Sequence, residues 1–257
     1  MSDFGMIKAA AAVPDVSIAD PETNAVRIIE RIRETDADVI VFPELSVTGY
    51  TCGELFRQSA LLQASEQALG DIAAATAQTP GVLAAFGAPI PVGNRLYNCA
   101  VFCANGKLLG AVPKKNIPSY GEYYEGRWFS PSTALDTDTI TICAQEIPIG
   151  TDLLFCDTTS SLVVGAELCE DLWAPVPPSS MLALQGADII FNLSADSDAV
   201  GKYSYLRNLL SQQSARSICG YVYTSCGFGE STQDVVFSGK GLIFENGAQE
   251  KQFIDTV

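Results

Sequence analysis

Apolar positions along this chain follow two spacings, and the places where one gives way to the other predict its elements. Short apolar, β-branched runs read as buried strands at Met6 to Val13, Ala37 to Phe42, Gly81 to Pro91, Leu96 to Cys103 and Lys107 to Val112. Further runs follow at Cys143 to Ile149, Leu153 to Asp157, Val163 to Leu168, Ala187 to Ser194, Tyr221 to Cys226 and Val235 to Phe244. Between them lie amphipathic helices. The first follows Asp20-Pro21, a capping residue and a first-turn proline, and places Ala25, Ile28, Ile29 and Ile32 on one side. The others run from about Glu54 to Gln78, Ser179 to Gln185 and Tyr203 to Cys219. Asn94, Asn105-Gly106 and Glu245-Asn246-Gly247 supply turns. Strands alternate with helices first and with hairpins in the middle. That mix predicts two packed sheets with helices on their outer faces rather than one doubly wound sheet.

Composition narrows the class. A chain of 257 residues that is 47% hydrophobic, with no repeat, low-complexity segment or linker, reads as a single α/β (α+β) domain over 1–257. A formal charge of −15 argues against nucleic-acid or anionic-membrane partners, which need basic patches. No apolar run reaches membrane-spanning length, and Met1-Ser2-Asp3-Phe4-Gly5 lacks a secretion signal, so a cytoplasmic location is expected. There the eight cysteines stay reduced, and no CxxC spacing suggests a metal site. Histidine is absent, which excludes Ser-His-Asp and Cys-His chemistry and leaves carboxylates or lysine to handle the protons of any cysteine nucleophile.

Three reactive side chains stand where a strand-like run breaks: Glu44 after Val-Ile-Val-Phe-Pro, Lys114 after Leu-Leu-Gly-Ala-Val-Pro, and Cys169 at the end of Val163 to Leu168. Each has an ordinary reading. Cys169 could be one more buried cysteine, Glu44 a helix-capping carboxylate, and Lys114 a solvated neighbour of Lys115. Together they form a set able to run thiol chemistry without histidine.

The stretches Phe42-Pro43-Glu44-Leu45-Ser46, Pro113-Lys114 with Pro118 and Tyr120, and Glu167-Leu168-Cys169-Glu170-Asp171-Leu172-Trp173 resemble the Glu-Lys-Cys signature of the nitrilase (carbon–nitrogen hydrolase) superfamily. Tyr120-Gly121-Glu122-Tyr123-Tyr124-Glu125-Gly126-Arg127, Asn192-Leu193-Ser194-Ala195 and Gly229-Glu230-Ser231-Thr232 are similar to one branch, the N-terminal glutaminase domains of glutamine-dependent NAD synthetases. The resemblance runs from about Ile7 to Gly247. It implies an α-β-β-α sandwich and glutamine amide hydrolysis through a cysteine thioester.

In that resemblance Cys169 is the nucleophile, Glu44 the general base, and Lys114 with the backbone N–H of Glu170 the oxyanion site. Glu125 orients the lysine, with Glu122 as second candidate. Tyr50, Tyr120 and Trp173 wall the glutamine pocket, Glu170 takes the α-ammonium, and Lys202 lies toward the α-carboxylate. Asp196 departs from the branch, standing where a small hydroxyl residue is expected. No cofactor is expected in this domain. ATP, Mg and deamido-NAD belong to the synthetase domain of such proteins, whose Ser-Gly-Gly phosphate loop does not occur in this sequence, so a truncated or excised domain is expected. The expected partners are L-glutamine, the synthetase domain and a second copy of the chain, since Ser211, Ser214, Ala215 and Ser217 would let another helix approach. Alternatives are a stand-alone amidase for another small amide, or an idle interaction domain of the same fold.

Overall fold

In the computed structural model the first helix begins as its cap predicts: Asp20 accepts from the Thr23 amide at 3.1 Å and the Thr23 hydroxyl at 2.7 Å, with Pro21 in the first turn. The structure describes residues 5–231 and 235–254, with side chains as far as 250. Residues 1–4 of the amino-terminal stretch, Thr232 of the Gly-Glu-Ser-Thr run and the chain end at Val257 lie outside the described residues.

Five strands form the first sheet: β1 (Ala9–Ala11), then, after helix α1 (Pro21–Glu34), β2 (Val39–Val41), and, after α2 (Ser59–Ala75), β3 (Leu83–Val92), β4 (Arg95–Ala104) and β5 (Lys107–Pro113). They lie in sequence order, the first three parallel and the last two antiparallel. Asn105 and Gly106, at φ 50° and 81°, make the left-handed turn between β4 and β5 that the Asn-Gly pair predicts. A hairpin, β6 (Thr139–Ile142) and β7 (Gln145–Pro148), sits beside β5. The second sheet takes β8 (Phe155–Cys156), β9 (Val163–Leu168), β10 (Ile189–Ser194) after α3 (Pro178–Leu184), β11 (Gly220–Ser225) after α4 (Lys202–Ser217), β12 (Lys240–Glu245) and β13 (Ala248–Ile254). Here β9, β10 and β11 run parallel at the centre.

The inner faces pack together through Val39, Val41, Ala85, Phe102 and Val112 against Val164, Ala166, Leu168, Phe191 and Leu193. Phe102 lies between the sheets, stacked 3.8 Å from Phe155 and 5.9 Å from Phe191. Burying each such side chain contributes about 1.5–3 kcal/mol. Ile28, Ile32, Leu69 and Ile72 of α1 and α2 cover the outer face of the first sheet, and Leu182, Leu206 and Leu210 of α3 and α4 that of the second. The result is an α-β-β-α sandwich. Among the described residues no helix is long and apolar enough to cross a membrane.

Several expected boundaries are corrected. The helix expected from Glu54 begins only at Ser59; Tyr50–Arg57 is instead a 3₁₀ segment kinked at Gly53 (φ 56°, ψ −130°), and the extended Gln58 (φ −85°, ψ 121°) separates it from the helix. The exposed Glu54 carboxylate there pairs with Arg127 at 2.7 Å. The strand expected at Cys143–Ile149 spans a hairpin turn, with Cys143 and Ala144 left-handed at φ 50° and 56°. The expected Val235–Phe244 strand starts at Lys240, because Gly239 at φ 56° breaks it and Phe237 crosses over to pack on Tyr50. Three of the small residues of α4 also have partners within the chain. Ser211 and Ser214 donate to Gly247 and Cys219 carbonyls at 2.6 and 2.7 Å, and the Ala215 methyl packs against Gly247 so closely that a Cβ there would lie 2.9 Å from it.

Candidate active site

The three strand breaks meet at one end of the sandwich. Pro43 and Glu44 end the β2 segment in a tight turn held by Ser46 N–H to Pro43 O at 3.2 Å and crossed by Val47 N–H to Gly87 O at 3.1 Å. Position 87 must be glycine, since a Cβ there would stand 2.1 Å from the Leu45 nitrogen and 2.7 Å from Glu44 Cα. Lys114 follows β5, and its amide donates to the Asn98 carbonyl of β4 at 2.8 Å. Cys169 follows β9 at φ 41°, a left-handed conformation that a non-glycine residue holds only where its surroundings enforce it.

Asp171 supplies part of that enforcement. Its buried carboxylate accepts from the amides of Leu168 (3.2 Å), Lys115 (3.3 Å) and Asn116 (2.7 Å), tying the loop after the lysine to the turn after the cysteine. Lys114 is fully buried whereas Lys115 is exposed, so Lys114 alone reaches the cluster. Its Nζ donates to Glu44 Oε1 and to Glu125 Oε1, each at 2.6 Å. Asn98 Nδ2 donates to Glu44 Oε1 at 2.6 Å, and the Tyr50 hydroxyl to Glu125 Oε1 at 2.9 Å. The second oxygen of Glu44 is buried and has no hydrogen-bond partner.

One ammonium facing two carboxylates fixes the protonation pattern. Burial lifts the Glu44 carboxyl to about 7, against the attraction of Lys114 and with the repulsion of Glu125. Burial alone would lower the Lys114 ammonium, but Glu125 and Glu44 outweigh it and hold the group charged well above its ordinary range. Burial and then the Glu44 charge hold the Cys169 thiol well above its ordinary value, with Lys114 opposing them. Cys169 therefore rests as a thiol that would need a base before it could attack, and Glu44 carries a buried, uncommitted oxygen able to act as one.

The remaining sequence-predicted residues surround this cluster in two groups. Tyr120 is 59% exposed and donates to both oxygens of Glu170 at 2.9 and 3.0 Å, so it is a rim residue rather than a buried wall. Trp173 stacks on Tyr205 at 5.5 Å, with the Lys202 ammonium 5.8 Å from a Trp173 ring. The same ammonium donates to Asp196 Oδ1 at 2.5 Å and Ser197 Oγ at 3.1 Å. The unexpected carboxylate at Asp196 is thus the buried partner of Lys202. Glu122 accepts from Ser197 at 2.9 Å and belongs to that corner, leaving Glu125 as the carboxylate on Lys114.

Sequence reasoning missed two members of the site. Asn98, the amide on Glu44, shows only as an asparagine inside a strand-like run. Glu230 lies in the quoted Gly-Glu-Ser-Thr stretch but had no role assigned. It grips the amides of Tyr50 and Thr51 at 2.6 and 3.0 Å and the Thr51 hydroxyl at 2.6 Å, placing the tyrosine that holds Glu125. A cavity of about 180 Å³ opens beside the cluster, with Tyr50, Glu122, Tyr123, Trp128 and Phe237 in its wall. A larger groove of about 1220 Å³ lies elsewhere, among Asp38, Leu83, Lys107, Leu109 and Phe155, away from all of these groups.

Residues 9–246 match the family model described as carbon-nitrogen hydrolase. The glutamine-dependent NAD(+) synthetase of Mycobacterium tuberculosis is 38% identical over 248 residues, covering 95% of this chain and 36% of that protein. Among solved structures, the glutamine-dependent NAD(+) synthetase of Cytophaga hutchinsonii superposes with a TM-score of 0.84 at 26% identity, over 96% of this chain and 40% of that one. An amidase of the nitrilase superfamily from Nesterenkonia superposes at 0.75 with 18% identity, over 96% and 86%, a likeness of fold.

Proposed function

Because the chain belongs to the carbon–nitrogen hydrolase family, we propose that its Glu44–Lys114–Cys169 cluster hydrolyses the side-chain amide of L-glutamine to glutamate and ammonia. The observation that carries this reading is the buried Lys114 ammonium bridging Glu44 and Glu125 while Glu44 keeps one oxygen free. Glu44 takes the thiol proton as Cys169 sulfur bonds to the amide carbon. The oxyanion forms against Lys114 and the backbone N–H of Glu170. On collapse Glu44 returns the proton to the departing nitrogen, releasing ammonia and leaving a γ-glutamyl thioester. Water then attacks that carbonyl, giving one proton to Glu44. The carbon–sulfur bond breaks, glutamate leaves, and the thiolate recovers its proton from Glu44.

The choice of glutamine is supported by likeness to glutamine-dependent synthetases along 95% of the chain. Charged groups at the rim suit an amino acid: Glu170, held by Tyr120, for the α-ammonium and Lys202, paired with Asp196, for the α-carboxylate, with Tyr50 and Trp173 around the side chain. This chain spans 36% of the length of that relative. The ammonia is destined for a synthetase domain, where ATP, Mg and deamido-NAD would be used. Initial-rate ammonia release from glutamine and from short aliphatic amides tests the reading. Glutamine should be preferred, with Cys169→Ala inactive; faster turnover of the aliphatic amides would transfer the assignment to a general amidase.

A further inference from the structure

The second sheet buries a carboxylate that this chemistry does not use. Glu167 lies two residues before Cys169 on β9, is 1% exposed, and faces the helical layer rather than the other sheet. Its Oε2 accepts the Ser179 amide in the first turn of α3 at 2.7 Å, and its Oε1 accepts the Tyr221 hydroxyl of β11. Asn192 on β10, its register neighbour, donates to the Tyr221 oxygen at 3.1 Å, and Ser194 donates to Asn192 Oδ1 at 2.7 Å. Every donor in this series points toward Glu167, as an ionised acceptor at its end requires. At the other end the Ser194 carbonyl accepts the Glu44 amide at 3.3 Å.

The contact from Glu167 to Ser179 spans 12 residues, and the loop it closes contains Cys169, Glu170 and Trp173. We propose that Glu167 is a positioning residue: by closing this loop on α3 and anchoring β9 to Tyr221, it holds Cys169 in its left-handed conformation. The inference rests on Cys169 being the nucleophile.

Burial raises the Glu167 carboxyl to about 7, with Tyr221 and Ser179 opposing the rise and Asp171 adding to it. Cys219, just before β11, feels its charge. The groups facing it from α3, α4 and β10 are the neutral Ser179, Gln213 and Asn192, with Arg216 held on Gln213 Oε1 at 2.7 Å. No lysine or arginine among the described residues forms an ion pair with Glu167. Once Oε1 is protonated, it meets the Tyr221 oxygen as a donor and the Tyr221 hydroxyl loses its acceptor, while Oε2 can still accept from the Ser179 amide.

Glu167→Gln holds the site permanently in the uncharged form. Two readouts apply: the rate at which iodoacetamide alkylates Cys169, followed on its own peptide, and the acid limb of kcat/KM. Alkylation should fall about tenfold or more, the scale of a small misplacement. The logarithmic acid limb should be steeper than one proton in the wild type, where Glu44 and Glu167 both titrate on it, and should drop to a slope of about one in the variant. A variant with wild-type alkylation and slope overturns the proposal, whatever its melting temperature. Should the variant not fold, Tyr221→Phe is read in its place: losing a donor to the ionised form moves the limb to higher pH, and an unmoved limb overturns the proposal. Alkylation needs no substrate, so a chain that does not turn over glutamine still tests Glu167.

Discussion

Replacing Lys114 with methionine removes the one cation facing two buried carboxylates, and the consequences for rate and stability can be separated. Glu44 and Glu125 each lie 2.6 Å from the ammonium, so Lys114→Met leaves both buried carboxyl groups without their cation. Breaking a buried pair costs about 3–5 kcal/mol, and a protein of this size loses roughly 2–4 °C of Tm per kcal/mol. A fall of about 6–20 °C follows, softened as one carboxylate takes up a proton. Losing one oxyanion donor independently lowers kcat by about a hundredfold to a thousandfold. The double variant Lys114→Met/Glu125→Gln removes the acidic neighbour that repels Glu44. It should recover much of the Tm and none of the activity. Lys115→Met, on an exposed neighbour, is the control and should change neither. The assays are calorimetry and initial-rate ammonia release. Equal rate losses at positions 114 and 115, or recovery of activity in the double variant, would refute the role given to Lys114.

Activity should fall as pH drops through about 7, where Glu44 gains its proton, and this limb is read from kcat/KM. The same raised carboxyl, like that of Glu167, lets the folded chain keep protons that the unfolded one releases between their ordinary 4.5 and about 7. Their contribution to stability therefore declines as pH rises through that window, and Glu44→Gln should flatten the decline in Tm. Glu230→Ala leaves the amides of Tyr50 and Thr51 without their acceptor and should lower Tm and turnover together, whereas Tyr50→Phe should lower turnover with little loss of Tm. Self-association through the helical face of the second sheet is expected in sedimentation, since Met181, Leu184 and Ile218 are more than half exposed there; Leu184→Arg should give the monomer, and a monomeric wild type would sink the idea.

The sequence placed Glu44, Lys114 and Cys169 correctly at strand ends because that signal is local: an apolar run that stops at a break. Asn98 gives no such signal, since its part depends on β4 lying beside β5, where Cys99 pairs with Pro113 and so sets Asn98 next to Lys114. Glu230 acts across 180 residues on the Tyr50 amide, a distance no spacing rule covers. The helix expected from Glu54 followed its leucines, but the extended Gln58 cuts Leu55 off from the helix that carries the others. The β6–β7 turn escaped notice because Cys143 and Ala144, rather than glycine or asparagine, occupy it. Small residues on α4 looked like an invitation to a second helix, yet the turn between β12 and β13 had already claimed Ser211, Ser214 and Ala215.

The left-handed backbone at Cys169 means that the residue best for the reaction is not the best for folding. A side chain held there costs about 1–3 kcal/mol, which glycine would not incur. In a display library sorted only for resistance to heat or protease, Cys169→Gly clones should be enriched over the parent. Sorted for ammonia release, they should vanish. A consensus drawn from folding data alone would thus misidentify the position to which the proposed reaction assigns its first step, and a stabilisation programme for this protein should hold residue 169 fixed from the outset.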